Sequence, residues 1–83
     1  MDTIRTIRSR KDAEAIADQM AEQMVVGETW WLNALDITFM GYHRFSVQNG
    51  PHSRAVFWTG ELADLLWDNR KHVNDWLRVQ YNA

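Results

Sequence analysis

The chain has 83 residues, with nine lysines and arginines against eleven aspartates and glutamates, and a formal net charge of −2 at pH 7. This length predicts one domain with a small core, and the weak acidic charge argues against a protein that binds nucleic acid through its overall charge. Hydrophobic residues make up 46% of the sequence and include five tryptophans, which excludes a disordered chain.

The sequence contains no cysteine. Its absence excludes disulfides, thiolate nucleophiles and cysteine-ligated zinc. No stretch approaches the roughly 20 apolar residues that cross a membrane, and the N-terminus lacks the apolar run of a signal peptide. We therefore expect a cytoplasmic protein without a membrane segment.

The charges are distributed unevenly. Residues 1–11 sum to +3, residues 12–36 to −6, and the remainder to +1. No lysine or arginine lies between Lys11 and Arg44. An acidic block of this kind creates a local field that can steer a basic partner. Its six carboxylates belong to Asp12, Glu14, Asp18, Glu22, Glu28 and Asp36.

Residues 9–26 are predicted to form an amphipathic helix. Ser9 and Asp12 have the spacing of a capping box, and Gly27 stands where a helix C-terminus favours glycine. The apolar residues recur at helical period and form one stripe. The stripe consists of Ala13, Ile16, Ala17, Met20, Ala21 and Met24.

Three of the carboxylates form a single row on this helix, which we call the acidic row. Glu14, Asp18 and Glu22 are spaced i, i+4 and i+8, away from the apolar stripe. Like charges at this spacing cost roughly a few tenths of a kcal/mol per pair. The row is either a solvated helix face or a binding surface for a basic partner, and the lack of interspersed lysines favours the second interpretation. Asp12 is expected to cap, and Asp36 to lie on the outer face of a strand.

Residues 29–59 are predicted to be β structure. Apolar and polar residues alternate over 35–40 and 44–48, and the sequence Asn49-Gly50-Pro51 predicts a turn, so residues 42–58 should form a hairpin. The role of Met40-Gly41 as turn, bulge or mid-strand stays open, and residues 28–33 are not placed. Because Trp30 and Trp31 are consecutive, at least one ring must face away from a one-sided core.

A second helix is predicted from about Gly60 to Val79, with Thr59 as N-cap and Glu61 in the first turn. Trp67 points roughly 140° from its apolar face. We expect this ring to contact a partner, to stack with Lys71 as a cation–π pair, or to cover part of the sheet edge. Residues 3–8 are ambiguous, and a short edge strand is one option. The apolar face consists of Leu62, Leu65, Leu66, Val73, Trp76 and Leu77.

These elements predict an α+β fold. An N-terminal amphipathic helix precedes an antiparallel sheet of three or four strands, and a C-terminal helix packs on the sheet. We expect both helices on one face of that sheet.

No pattern in the sequence predicts catalysis. His43, His52 and His72 are not paired at metal-ligand spacing, and the four glycines are isolated rather than grouped in a phosphate-binding loop. A chain of this size is also expected to leave little volume for a ligand-sized cavity. We therefore expect no enzyme activity, no metal and no cofactor.

The leading hypothesis is a small protein-binding inhibitor that presents the acidic row to a basic surface of a nucleic-acid-handling protein. In size, lack of motifs and acidic surface the chain resembles, in type only, small phage-encoded antagonists such as anti-CRISPR proteins. The resemblance includes no shared motif, so no residue roles follow from it. The residues predicted to bind the partner are Glu14, Asp18, Glu22, Trp67, Trp30 and Trp31.

Two alternatives remain open. The first is a homo-oligomeric structural or adaptor subunit, for example a homodimer, that buries Trp67 and one of Trp30 or Trp31 against a second copy. The second is a nucleic-acid-binding module in which hairpin aromatics stack on bases and arginines contact phosphates. Its residues would be Tyr42, Arg44, Arg54 and Trp58.

Overall fold

The computed structural model describes residues 6–32, 35–49 and 54–82. It confirms the α+β fold: one helix precedes a four-stranded antiparallel sheet, and two helices follow it. Within the described residues, no helix is long and apolar enough to cross a membrane. The elements are α1 (Arg10–Gln23), β1 (Thr29–Leu32), β2 (Leu35–Gly41), β3 (Arg44–Asn49), β4 (Arg54–Trp58), α2 (Thr59–Asp68) and α3 (Arg70–Asn82).

The strands lie in the order β1-β2-β3-β4, so every neighbour in the sheet is also the neighbour in sequence. Every second residue of β2 and β3 points to the core face and is buried. These residues pair across the two strands, as Ile37 does with Val47. Phe39 packs on Phe45 with ring centroids 5.2 Å apart. This core face joins the helices in one hydrophobic cluster, whereas Met40 and other residues of the outer face are exposed.

The connection between β2 and β3 answers the question about Met40-Gly41. The register shifts between Phe39 and Gly41, so Met40 forms a bulge at the end of β2. Tyr42 and His43 follow with φ angles of 52° and 60°. Positive φ at both central residues is typical of a two-residue hairpin turn. His43 therefore lies in the turn and not on a strand.

Helix α1 begins as predicted but ends earlier. The Asp12 amide donates to the Ser9 hydroxyl at 3.4 Å, and the Asp12 carboxylate accepts from the Arg8 amide at 2.8 Å. The helix ends at Gln23, three residues before the predicted end at residue 26, because Met24 is extended. Gly27 then turns the chain with φ +91°, and its amide bonds Phe39 of β2. Attachment of this turn to the sheet thus ends the helix.

The prediction of one continuous C-terminal helix was wrong, because Asn69 divides it into α2 and α3. Asn69 leaves the helical conformation, with φ −107° and ψ 24°. Its backbone amide and its side-chain amide both donate to the Leu65 carbonyl, at 3.0 and 2.9 Å. Thr59 is the first residue of α2, and Trp58 occupies the N-cap position assigned to Thr59. The Glu61 carboxylate accepts from the Trp58 amide at 3.0 Å, as expected for an acid in the first turn.

The N-terminal segment is attached to α3 and not to the sheet. Asn74 accepts from the Ile7 amide at 2.7 Å and donates to the Ile7 carbonyl at 3.2 Å. Ile7 itself is buried in the core. The edge strand considered for residues 3–8 is therefore wrong for residues 6–8, and residues 3–5 lie outside the described part of the chain.

Candidate partner-binding surface

The acidic row lies on the solvent side of α1. Glu14, Asp18 and Glu22 are all exposed, whereas the apolar stripe of the same helix is buried. Within the described part of the chain, the three carboxylates make no ion pair or hydrogen bond. The row is therefore an exposed line of three carboxylates that form no ion pair with the described residues.

Arg10 is close enough in sequence to pair with the first carboxylate of the row, but it does not. It stands four residues before Glu14, a spacing that allows a helical ion pair. Its guanidinium instead forms a salt bridge with Asp64 of α2. Because α1 packs along α2, this contact across the two helices draws the cation away from the row.

A pocket lies between α1, β1 and α3. Its volume is about 520 Å³, which is larger than the little volume expected for a cavity in so small a chain. None of the residues that line it is charged. The lining residues are Ile16, Gln19, Met20, Gln23, Thr29, Trp30, Trp31, Trp76, Leu77 and Gln80.

One carboxylate of the row lies near the rim of this pocket. Gln19 and Gln23 form the wall of the pocket on α1. Glu22 is three residues from Gln19, so these two side chains are neighbours on the helix surface. Asp18 and Glu14 lie farther round the helix from the pocket.

Trp30 and Trp76 pack against each other in the pocket. Their ring centroids are 5.5 Å apart and their planes are inclined by 31°. The Trp30 indole N–H donates to the Glu28 carboxylate at 3.0 Å, and the Val25 amide donates to the same carboxylate at 2.9 Å. The bond from Val25, and then that from Trp30, holds the pKa of Glu28 below its ordinary value.

The structure also decides which of the two consecutive tryptophans faces the core. Trp30 is half-buried and pairs in register with Ile37 on the core face. Trp31 pairs with Asp36 on the outer face and is 65% exposed. Trp31 therefore lies at the sheet edge, where it can contact a partner without a rearrangement of the core.

Trp67 is less exposed than its helical position suggested. The ring is half-buried and packs on the edge of the core, where Ala63, one turn earlier, is buried and widens the apolar face. The Arg70 guanidinium lies 4.2 Å from the ring centroid. The cation on this ring is thus Arg70 and not Lys71, because the end of α2 at Asp68 changes the helical positions that follow. The structure does not bring Trp67 to the pocket, and its partner-binding role stays a prediction.

The outer face of the sheet brings together the hairpin residues of the nucleic-acid alternative. Arg44 pairs in register with Trp58, and its guanidinium lies 6.0 Å from that ring. Arg54 on the same face donates to Ser46 and to Gln48, both at 3.1 Å. Trp58 is 57% exposed and Tyr42 lies in the adjoining turn. This face is partly aromatic and carries two cations.

The described residues contain no group of three histidine, aspartate or glutamate side chains arranged to hold a metal ion. His43 lies in the β2–β3 turn and His72 on α3, while His52 lies outside the described residues.

Comparisons of the chain with protein-family models, curated proteins and solved structures give no match. The helical pattern of the sequence predicts Trp76 on the core face, but no sequence pattern predicts the pocket. A gap between three elements has no local sequence signal, although Gln19 and Gln23 beside the apolar stripe of α1 mark its polar rim.

Proposed function

We propose that this chain is a small, non-enzymatic protein-binding module that docks on a basic protein surface through α1 and the adjoining pocket. The observation that carries the proposal is the exposed acidic row, whose carboxylates make no ion pair within the described residues. Opposite charge on the partner would guide its approach and its register. A basic surface of this kind is common on nucleic-acid-handling proteins, so inhibition by occupation of that surface is the concrete form of the proposal.

The pocket would supply binding free energy that exposed charges alone do not. Exposed ion pairs add about 0.2–1 kcal/mol each, which is too little for a stable complex. An apolar side chain of the partner that enters the pocket between Trp30 and Gln19 would provide a buried anchor. The acidic row would then serve recognition, and the pocket would supply most of the affinity.

The test compares two triple variants of equal net charge. Glu14→Gln, Asp18→Asn and Glu22→Gln remove the row, and a control variant removes Asp36, Asp68 and Asp75 by amide substitution. The partner is first captured from the native host with the wild-type chain, and its affinity for each variant is then measured at several salt concentrations. From the value of exposed charge pairs, the row variant should bind roughly 3- to 150-fold more weakly.

The salt dependence gives the second readout. Loss of the row should flatten the decrease of affinity with salt, whereas the control variant should retain it. Circular dichroism checks that both variants fold. Equal binding by the row variant and the wild type would exclude the acidic row as the contact.

A single-site variant tests the pocket. Gln23 is exposed at the pocket rim, so Gln23→Arg should fold normally while it places a cation beside Glu22 and obstructs the mouth. We expect weaker binding than with Gln23→Ala, which leaves the mouth open. Equal affinities would restrict the contact to the acidic row.

The outer sheet face supports a second candidate function, the binding of single-stranded nucleic acid. The supporting observation is the placement of Arg44 and Trp58 side by side on an uncovered face. Fluorescence anisotropy with a short labelled oligonucleotide at low salt tests it, with Trp58→Ala and Asp68→Asn as test and control. Absence of binding by the wild-type chain would remove this candidate.

A further inference from the structure

The pocket between α1, β1 and α3 has the size and composition of a small-molecule site. Its volume of about 520 Å³ lies within the range of about 300–1,000 Å³ that is typical of ligand pockets. Three of its lining residues, Ile16, Met20 and Leu77, are buried and apolar. As in ligand sites generally, a few polar side chains complete this apolar lining. The pocket is therefore large enough for a small molecule as well as for a side chain of a protein partner.

Two tryptophan rings give the pocket an aromatic surface. Trp30 and Trp76 are both half-buried, and their ring centroids are 5.5 Å apart. The Trp30 indole N–H donates to the Glu28 carboxylate at 3.0 Å, which holds the ring in place and occupies its nitrogen. Trp30 therefore offers a ligand only its apolar ring surface. Flat aromatic molecules pack on such rings in offset-stacked or edge-to-face contacts.

Three glutamine amides supply the polar part of the lining. Gln19 and Gln23 belong to α1, and Gln80 belongs to α3, on a different wall. Within the described part of the chain, these three side chains make no hydrogen bond. Each amide carries an acceptor oxygen and two N–H donors. A ligand with donors and acceptors along the edge of a flat ring therefore matches the pocket better than a hydrocarbon does.

The charges around the pocket favour a neutral ligand. None of the lining residues is charged, and burial of a charge without a counter-charge is costly. Just outside the lining, Glu22 is a helical neighbour of Gln19, and the Glu28 carboxylate accepts from Trp30. Both carboxylates repel an anion that approaches the pocket. A phosphorylated ligand is therefore disfavoured.

We propose that this pocket binds a free purine base or nucleoside and discriminates against the corresponding nucleotide. The purine ring would pack on Trp30 and Trp76, and its edge would bond the glutamine amides. Glutamine is a recurrent partner of adenine, through the N6 donor and the N7 acceptor of the base. This inference needs only the pocket and does not rest on the proposed protein partner. It also differs from nucleic-acid binding on the outer sheet face, where Arg44 and Trp58 would contact a phosphate and a base.

The first measurement titrates the chain alone with adenosine and with AMP at low salt, by calorimetry and by NMR of the glutamine side-chain amides. We expect adenosine to bind with a Kd between about ten micromolar and about one millimolar, and to shift the amide signals of the pocket. AMP should bind at least tenfold more weakly, and this difference should decrease as salt screens the carboxylates. No binding of adenosine up to about two millimolar overturns the proposal, as does AMP binding of equal affinity.

Substitutions then locate the site and test the amides. Gln19→Leu with Gln80→Leu keeps the side-chain size and removes two amides, so adenosine should bind roughly 5- to 150-fold more weakly. The probe 1-methylindole has a similar ring but no hydrogen-bonding edge, and its affinity should not fall. Gln48→Leu and Trp58→Ala, both on the outer sheet face, should bind adenosine like the wild type.

Three results would contradict this assignment. Full adenosine affinity in the double variant would exclude the amides, and loss of binding in Trp58→Ala would move the site to the outer sheet face. Equal losses for adenosine and 1-methylindole would show that the double variant only perturbs the pocket. Circular dichroism checks folding, and Gln80→Leu alone, at an exposed position, provides a milder variant. Because these measurements use the chain alone, this proposal can fail independently of the proposed function.

Discussion

Asn74 allows the packing of the N-terminal segment to be tested by a single substitution. Its side chain makes two hydrogen bonds with the backbone of Ile7, 67 positions away in sequence. Each such bond contributes about 0.5–1.5 kcal/mol, so Asn74→Ala should lower the free energy of unfolding by about 1–3 kcal/mol. In a domain of this size 1 kcal/mol shifts the Tm by about 4–8 °C. We therefore expect a decrease of at least about 4 °C.

The decisive comparison uses Lys71→Ala, an exposed change on the same helix that makes none of these contacts. Urea unfolding should separate the two variants, since the control should stay within about 0.5 kcal/mol of the wild type. Hydrogen exchange adds a local readout, because the Ile7 amide should lose its protection in Asn74→Ala. An Asn74→Ala variant as stable as the control would refute the idea that this residue attaches the N-terminal segment to α3.

Two further predictions concern backbone strain and acid stability. Gly41→Ala should cost about 1–2 kcal/mol in urea unfolding, because φ is +85° and the new methyl would lie 3.3 Å from Val26, whereas Gly60→Ala should be neutral or stabilising by up to about 1 kcal/mol. Equal effects would contradict the strain argument. The lowered pKa of Glu28 means that its stabilising contribution is present above the ordinary pKa of 4.5 and is lost as pH falls through the lower folded value. Glu28→Gln should therefore weaken the dependence of the free energy of unfolding on acidic pH, as measured by tryptophan fluorescence. An unchanged pH dependence would exclude the Glu28 carboxylate as one of its causes.

The strands could be predicted because their burial follows the alternation of apolar and polar residues along the chain. Alternation of apolar and polar residues placed Ile37 and Val47 on the core face, and the sheet buries them there. The same parity rule correctly put Asp36 on the outer face. The bulge at Met40 escaped prediction, because a glycine after a strand is equally consistent with a turn and with a continued strand.

The break at Asn69 had no clear signal in the apolar pattern. Leu66 and Val73 are both buried and are seven residues apart, so they also fit one face of an unbroken helix. At Asn69 the side-chain amide adds a second donor to the Leu65 carbonyl, and the apolar pattern does not predict this local contact at the end of α2. The candidate site divides in the same way: the acidic row could be predicted from helical spacing, whereas the pocket depends on how α1, β1 and α3 pack.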